Sequence, residues 1–250
     1  MIRAIIFDLD GTLVQSEKLK ALSYAIAVQK LRKLPEPDSR AIEAYREVVG
    51  SSREVASRHI IDALGLEPEL LSAMDDGCSG PEPWETLTAS RKKIYDEMVA
   101  DPQVLRDNRW PHTISLLRLS KEIACRTGLA TMSYRKEVEH VLQALDLERS
   151  LDIVLTREDV RCPKPDPEIY TLAARKLDVT PEECLVLEDS PNGVRSAIAA
   201  GMNVVAVATP FTRAVLHSTR VVKDAWIVHD PSEVLEAVKS RIAQLGQTAH

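Results

Sequence analysis

Short apolar segments recur along most of this chain, and their spacing constrains the fold more than any other feature. They are rich in Ile, Val and Leu and lie at residues 2–7, 126–131, 151–155, 184–188 and 203–207, with a sixth near 225–228. Helical patterns lie between or after them, near 135–146, 167–177, 191–200 and 231–244. Short apolar runs of this kind are typical of strands buried on both faces of a parallel sheet. The alternation therefore predicts an α/β fold, a doubly wound parallel sheet.

Residues 16–100 show no such alternation. Their pattern is helical, with breaks at 34–37, 65–68 and 77–83 where proline or glycine interrupts it. We therefore predict an all-helical domain at 16–100 inserted into a core domain formed by residues 1–15 and 101–250. The connections at 13–16 and 101–111 are then expected to act as hinges.

Two carboxylates follow the first apolar segment directly. Because alternate side chains of a strand share a face, Asp8 and Asp10 can address one site at the carboxyl end of the strand. In open α/β sheets this edge is where ligands bind. Gly11 allows a tight turn, and Thr12 adds a hydroxyl beside the same site. Two acids at a strand end also occur in an ordinary turn before a helix, so this motif alone leaves both interpretations open.

A second pair of acids ends the strand predicted at 184–188. Glu188 and Asp189 are followed by Pro191 and Gly193 and then by a helical pattern. Two strand ends that carry Asp8, Asp10 and Asp189 could bring hard oxygen ligands together for Mg²⁺. Glu188 would complete the metal shell or orient a metal-bound water.

Two further segments carry polar groups suited to phosphate. Lys164 lies between two prolines, just before Asp166 and Pro167, which suit the first positions of the next helix. The strand near 126–131 ends in the hydroxyls of Thr131 and Ser133. Taken alone, such a lysine is usually a solvated turn residue, and a threonine at a strand end usually reflects β-propensity.

Together and in this order, the four segments resemble the haloacid dehalogenase superfamily of aspartate-nucleophile phosphohydrolases, over almost the whole chain. By this resemblance Asp8 is the nucleophile, Asp10 the general acid and base, and Thr131 and Lys164 the phosphate-binding pair. The resemblance implies a Rossmann-like core with Mg²⁺ as cofactor, held by four acids: Asp8, Asp10, Glu188 and Asp189. The loop residues implied at the substrate are Gly11, Thr12, Met132 and Ser133.

The helical insertion is similar to the small cap domain of the β-phosphoglucomutase-like branch of that superfamily. Within it, residues 49–54 resemble the segment that closes on the sugar phosphate, which implies that Arg53 grips the distal part of the substrate. The alternative is an arginine at a helix start paired with a nearby glutamate. Lys20 stands where the mutases have a histidine, and we expect it at the substrate as well. Lys92 and Lys93 are better explained as a solvated helix face.

Composition limits the partners. No apolar run approaches the ~20 residues of a membrane span, and the sequence opens on a strand rather than a signal peptide, so we expect a cytoplasmic protein without membrane contact. The net charge of −6 disfavours nucleic acid. The widely spaced Cys78, Cys125, Cys162 and Cys184 suggest neither a zinc site nor a disulfide framework. A monomer or weak homodimer is expected.

The predicted function is a Mg²⁺-dependent phosphatase that hydrolyses a small phosphorylated metabolite, foremost a sugar phosphate, through an aspartyl-phosphate intermediate. A mutase of the β-phosphoglucomutase type is the alternative within the superfamily. A non-catalytic phosphate-binding module is an alternative from another class. Such a module would not need Lys164, Asp10 and a cap domain together.

Overall fold

A computed structural model of the chain describes residues 1–73, 81–122 and 125–247. Cys78 and the first part of the break predicted at 77–83 lie outside these residues. The chain divides into two compact units. The core unit comprises Met1–Gln15 and Leu105–His250, and the helical unit comprises Ser16–Val104.

The core unit is built on a six-stranded sheet in which every pairing is parallel. The strands are β1 Ala4–Phe7, β2 Arg126–Ala130, β3 Ile153–Leu155, β4 Cys184–Glu188, β5 Asn203–Val207 and β6 Ile227–Val228. Their order across the sheet is β3-β2-β1-β4-β5-β6, so the chain winds outwards from β1 in both directions. The fold class predicted from the apolar segments is confirmed.

The helical unit contains α1 Ser16–Arg32, α2 Ser39–Glu47, α3 Arg53–Leu64, α4 Glu67–Ala73 and α5 Pro83–Val99. Local signals in the sequence set the helix ends. The Asp38 side chain accepts from the backbone N–H of Arg40 at the start of α2, and Ser52 Oγ accepts from Val55 N–H at the start of α3. Gly65 ends α3 with φ of 60°, the left-handed conformation that favours glycine. Helices α1 and α5 pack along each other and carry much of the unit's core.

The remaining helices are α6 Pro102–Asp107, α7 Pro111–Glu122, α8 Arg135–Ala144, α9 Glu168–Leu177, α10 Pro191–Ala199, α11 Arg213–Thr219 and α12 Val234–Gln247. Helices α9 and α10 pack on alternate strand residues such as Ile6, Val186 and Val204, which are buried in one cluster with them. Helices α7 and α12 pack against each other and against the sheet. The segment predicted as a hinge at 101–111 contains helix α6. Helices α7 and α11 were also not predicted from the sequence.

The register of the strands determines which residues emerge together at the carboxyl edge of the sheet. Phe7 of β1 is level with Leu129 of β2 and with Leu187 of β4. Asp8, Thr131 and Glu188 therefore emerge at neighbouring positions along one edge of the sheet. Among the described residues, no helix is long and apolar enough to cross a membrane.

Candidate active site

The loop after β1 presents Asp8 at the sheet edge. Asp8 is 6% exposed, and its backbone N–H donates to Leu187 O on β4 at 3.0 Å. Gly11 turns the chain with φ of 79°, and a Cβ there would lie 2.0 Å from Oδ2 of Asp189. Only glycine allows this close approach of the loop to the second acidic strand end. The hydroxyl of Thr12 is buried beside them, with no hydrogen-bond partner among the described residues.

Lys164 joins the two acidic strand ends. Its ammonium donates to Oδ1 of Asp8 at 2.7 Å, to Oε1 of Glu188 at 2.6 Å and to Ala130 O at 2.9 Å. The side chain is 5% exposed, and the ring of Tyr170 lies with its centroid 4.9 Å from Nζ. The sequence expectation for Lys164 alone was a solvated turn, but the structure places it inside the acidic cluster.

The turn that carries Lys164 is held on both sides. Its backbone N–H lies 3.4 Å from Sδ of Met132, Asp166 N–H donates to Pro163 O at 3.0 Å, and Ser196 Oγ donates to Asp166 O at 2.6 Å. These contacts tie the turn to the loop after β2 and to α10. Lys164 is thus oriented by backbone fixed from two neighbouring elements.

Glu188 is saturated with hydrogen bonds. Besides Lys164, the Tyr170 hydroxyl donates to its Oε1 at 3.2 Å, and Ser190 donates to its Oε2 through the backbone N–H at 2.9 Å and through Oγ at 3.0 Å. Gly193 closes the other side, because a Cβ there would lie 1.7 Å from Oε1. This arrangement fixes the carboxylate and, through it, the ammonium of Lys164. Sequence reasoning missed Tyr170, which looks like an ordinary buried residue of an amphipathic helix.

Burial and neighbouring charges shift the titration of this cluster. The pKa of Asp8 is raised to about 7, chiefly by burial. The Lys164 ammonium opposes this rise, and the carboxylates of Glu188 and Asp10 contribute to it. Burial also disfavours the charged form of Lys164, yet Asp8 and Glu188 together raise the pKa of its ammonium well above the ordinary value. Lys164 is therefore positively charged between the carboxyl groups of Asp8 and Glu188.

The hydroxyl loop after β2 faces the second acid. Ser133 Oγ donates to Oδ2 of Asp10 at 2.5 Å, and Ser133 N–H donates to Thr131 Oγ1 at 3.1 Å. Thr131 is fully buried. The structure thus places Asp10, Thr131, Met132 and Ser133 around the cluster formed by Asp8 and Lys164.

Three acids are grouped closely enough to hold a metal ion. One oxygen each from Asp8, Glu188 and Asp189 lie within 4.8 Å of one another, and all three residues are buried. Such hard oxygen donors fit Mg²⁺, since the single charge of Lys164 leaves the group with excess negative charge. This group does not include Asp10, the fourth acid of the predicted ligand set.

An exposed group also has suitable spacing: Cys162, Asp166 and Glu168. There, Glu168 Oε2 already accepts from the backbone N–H of Arg161 and of Cys162, and Asp166 Oδ1 accepts from Glu168 N–H. These hydrogen bonds to backbone N–H groups explain why the three side chains lie close together at the start of α9.

In the helical unit, the structure singles out a residue that sequence reasoning passed over. Arg91 of α5 is 5% exposed, and its Nε has no hydrogen-bond partner among the described residues. Its guanidinium carbon lies 5.3 Å from the ring centroid of Tyr24. Arg91 shares a helix face with Leu87, Ile94 and Tyr95, which are also buried, and this spacing was the available signal.

Lys20 and Arg53, the two residues of the helical unit predicted at the substrate, lie on different helices. Lys20 of α1 is half-buried, and its charge acts on the buried hydroxyl of Tyr45, as does that of Arg91. Arg53 is the first residue of α3 and is also half-buried. Lys92, by contrast, pairs with Asp96 at 2.8 Å on a solvent-accessible helix face, as its sequence context indicates.

Comparison with known proteins shows which family the chain belongs to. A family model described as haloacid dehalogenase-like hydrolase matches residues 2–201. The phosphorylated carbohydrates phosphatase of Thermotoga maritima is 28% identical over 199 residues, covering 80% of this chain and 82% of the relative. Hexitol phosphatase B of Escherichia coli is 30% identical over 214 residues, covering 84% and 85%.

Among solved structures, β-phosphoglucomutase from Clostridium difficile matches with a TM-score of 0.71 at 20% identity, covering 98% of each chain. At this identity the likeness concerns the fold, which is that of the β-phosphoglucomutase-like branch.

The buried carboxylates and buried lysine at one sheet edge are suited to a hydrolase that acts on an anionic ester. The chain belongs to the haloacid dehalogenase-like hydrolase family. Within that family it is a phosphoric monoester hydrolase, in line with its named relatives.

Proposed function

We propose that this protein is a Mg²⁺-dependent phosphatase of small phosphorylated carbohydrates that works through an aspartyl phosphate at Asp8. The observation that carries the proposal is the contact of Lys164 Nζ with Asp8 Oδ1 at 2.7 Å, inside a cluster that also holds Glu188 and Asp189. A nucleophilic carboxylate beside a fixed cation is the arrangement that phosphoryl transfer requires.

Asp8 attacks the phosphorus, and the leaving alkoxide departs. Charge on the transferring phosphoryl oxygens is stabilised by the Lys164 ammonium, which Glu188 and Tyr170 hold in place. Thr131 supplies a hydroxyl at the same edge, and its position is set by Ser133 N–H.

Asp10 serves the proton transfers. Protonated, it delivers a proton to the leaving oxygen, and as a carboxylate it then takes a proton from the water that cleaves the aspartyl phosphate. The Ser133 hydroxyl holds its Oδ2. This restraint holds Asp10 close to Asp8, whose pKa the Asp10 carboxylate raises.

Mg²⁺ would be held by Asp8 and Asp189, with Glu188 beside them. When bound, it supplies positive charge that neutralises the substrate phosphate and keeps Asp8 ionised. This charge complements the excess of carboxylates over ammonium at the site.

The substrate class rests on the helical unit and on the relatives. A guanidinium that is buried beside Tyr24 and lacks a carboxylate partner among the described residues is suited to an anionic or hydroxyl-rich ligand group. Arg91 therefore joins Lys20 and Arg53, which the family resemblance implies, as a candidate for binding the distal part of the substrate. The names of the two phosphatase relatives, which concern phosphorylated carbohydrates and hexitols, support a sugar or sugar-alcohol phosphate.

The test is phosphate release from a panel of hexose, pentose and hexitol phosphates, with and without Mg²⁺, using Asp8→Asn as the control. We expect Mg²⁺-dependent release from several sugar phosphates and none from the variant. Conversion of β-glucose 1-phosphate into glucose 6-phosphate without net phosphate release would contradict the proposal and favour a mutase. Tight phosphate binding without turnover would favour a non-catalytic module.

A further inference from the structure

A groove of about 410 Å³ lies in the core unit between the ends of three helices. Its walls are the end of α6, one face of α7 and the end of α8. Three arginines line it: Arg106, Arg109 and Arg118. The volume is within the range of small-molecule sites.

The charge of this groove is not neutralised locally. Arg106 Nε donates to Ala144 O at 2.9 Å, and Arg109 Nη1 donates to Arg106 O at 2.6 Å, so both bind backbone only. Arg118 makes no hydrogen bond or ion pair within the described part of the chain. Of the described lining residues, Asp146 contributes the one carboxylate, which leaves a net charge of about +2.

The backbone around the groove reinforces this charge. Helix α7, which runs for 12 residues, begins at Pro111 in the groove wall and directs the positive end of its dipole there. The guanidinium groups have the donor geometry that matches phosphate oxygens in pairs. In a chain of net charge −6, this concentration of cations is a local feature that sets the groove apart.

The groove is connected to the catalytic loop through backbone pairing. Arg109 forms an antiparallel bridge with Val14, and Val14 forms a parallel bridge with Asp10. Trp110 N–H also donates to Leu13 O at 2.8 Å. A ligand that moves Arg109 would therefore displace the loop at residues 13–14, which is bridged to Asp10.

We propose that this groove binds a small polyanion with two or more phosphoryl groups and that its occupancy changes catalysis. Two or three guanidinium groups can each take a phosphoryl oxygen pair, which a single phosphate would not satisfy. The site is distinct from the Asp8–Lys164 cluster and does not depend on the proposed substrate class.

Binding is tested by isothermal titration calorimetry with inorganic pyrophosphate in EDTA-containing buffer. Arg118→Glu is the cleanest variant, since no side-chain bond is lost, and Arg175→Glu on an exposed face of α9 is the charge-matched control. We expect Arg118→Glu to weaken pyrophosphate binding at least tenfold, and Arg175→Glu and Lys164→Ala to leave it within twofold. Equal binding by Arg118→Glu, or loss of binding in Lys164→Ala, would overturn the site.

Coupling is tested on hydrolysis of an aryl phosphate with Mg²⁺. We expect pyrophosphate to change kcat in the wild type and to have at least tenfold less effect on kcat in Arg118→Glu. Purely competitive inhibition, equal in both proteins, would place pyrophosphate at the catalytic site and overturn the coupling. Unchanged thermal unfolding of Arg118→Glu confirms that the comparison concerns folded protein.

Discussion

The ammonium nitrogen of Lys164 lies 2.7 Å from Oδ1 of Asp8, although 156 positions separate the two residues in the sequence. The strand end fixes Asp8, and the turn between Pro163 and Asp166 fixes Lys164. Both side chains are almost fully buried, so their attraction is not screened by solvent. The pair therefore fixes the orientation of Asp8, the proposed nucleophile.

Removal of this cation is expected to be costly. Lys164→Ala deprives the transferring phosphoryl group of a fixed positive charge, and we expect kcat/KM to fall by roughly 10²–10³-fold. The measurement is steady-state hydrolysis of a sugar phosphate, with exposed Lys176→Ala on α9 as the control. Activity within tenfold of the wild type would show that Lys164 is structural.

The raised pKa of Asp8 predicts a pH-dependent stability difference. The free acid has a pKa of 3.8 and the folded one about 7, so protonation stabilises the folded state and this stabilisation is lost as pH rises towards 7. In metal-free buffer, the wild type should lose this stabilisation between about pH 5.5 and 7.5, whereas Asp8→Asn has no such group to titrate. We therefore expect the free energy of unfolding of Asp8→Asn, relative to that of the wild type, to increase by about 2 kcal/mol over this range. Chemical denaturation at both pH values measures it.

Asp38→Asn is the matched control for this pH effect. Its hydrogen bond with Arg40 lowers the pKa of the Asp38 carboxyl, so this group stays ionised in both states over the same pH window. The stability difference between Asp38→Asn and the wild type should therefore not change with pH. A constant difference for Asp8→Asn as well would contradict the assignment of a raised pKa.

Metal binding should depend on Asp189. Because a hard cation loses an anionic ligand in Asp189→Asn, Mg²⁺ should stabilise the wild type and not the variant. At 100 times its dissociation constant the ion would add about 2.7 kcal/mol to the free energy of unfolding. Thermal unfolding with and without Mg²⁺ measures this, and Asp166→Asn, in the exposed acidic group, should keep the wild-type response. A full Mg²⁺ response in Asp189→Asn would refute the ligand assignment.

Arg91 should select the substrate. In Arg91→Met the side-chain volume is largely kept and the charge is lost, so we expect kcat/KM for sugar phosphates to fall about tenfold or more, while a small aryl phosphate is hydrolysed at nearly the wild-type rate. Lys93→Met, which removes an exposed charge from the same helix, is the control. Equal losses on both substrate types would indicate a structural role for Arg91. Arg53→Ala tests the residue implied by the family resemblance in the same assay.

Much of the fold follows from local sequence patterns. The strand ending before Asp8 and the strand ending at Glu188 were predictable because an apolar run buried on both faces needs no knowledge of its partners. Parallel pairing then brings their carboxyl ends to one edge. The short helix at Pro102–Asp107 was not predicted, since its few residues have no clear apolar period.

The finer features of the site depend on contacts between distant segments. Tyr170 and Arg91 both occupy buried faces of amphipathic helices, where the pattern alone indicates only packing. The groove lined by Arg106, Arg109 and Arg118 joins parts of different helices, so no spacing in the sequence marks it. Such features require the tertiary structure.

The aspartyl phosphate itself is the most direct test of the proposed mechanism. The Asp10→Asn variant, in which breakdown of the intermediate should be slow, is mixed with Mg²⁺ and 4-nitrophenyl phosphate, whose leaving group needs no proton from Asp10. The reaction is quenched in acid and analysed by peptide mass spectrometry. We predict a phosphoryl group on Asp8, in the peptide that follows β1, and none when Asp8→Asn is combined with Asp10→Asn. Phosphate release by Asp10→Asn in the first turnover without phosphorylation of Asp8, or a phosphoryl group on another residue, would contradict the mechanism.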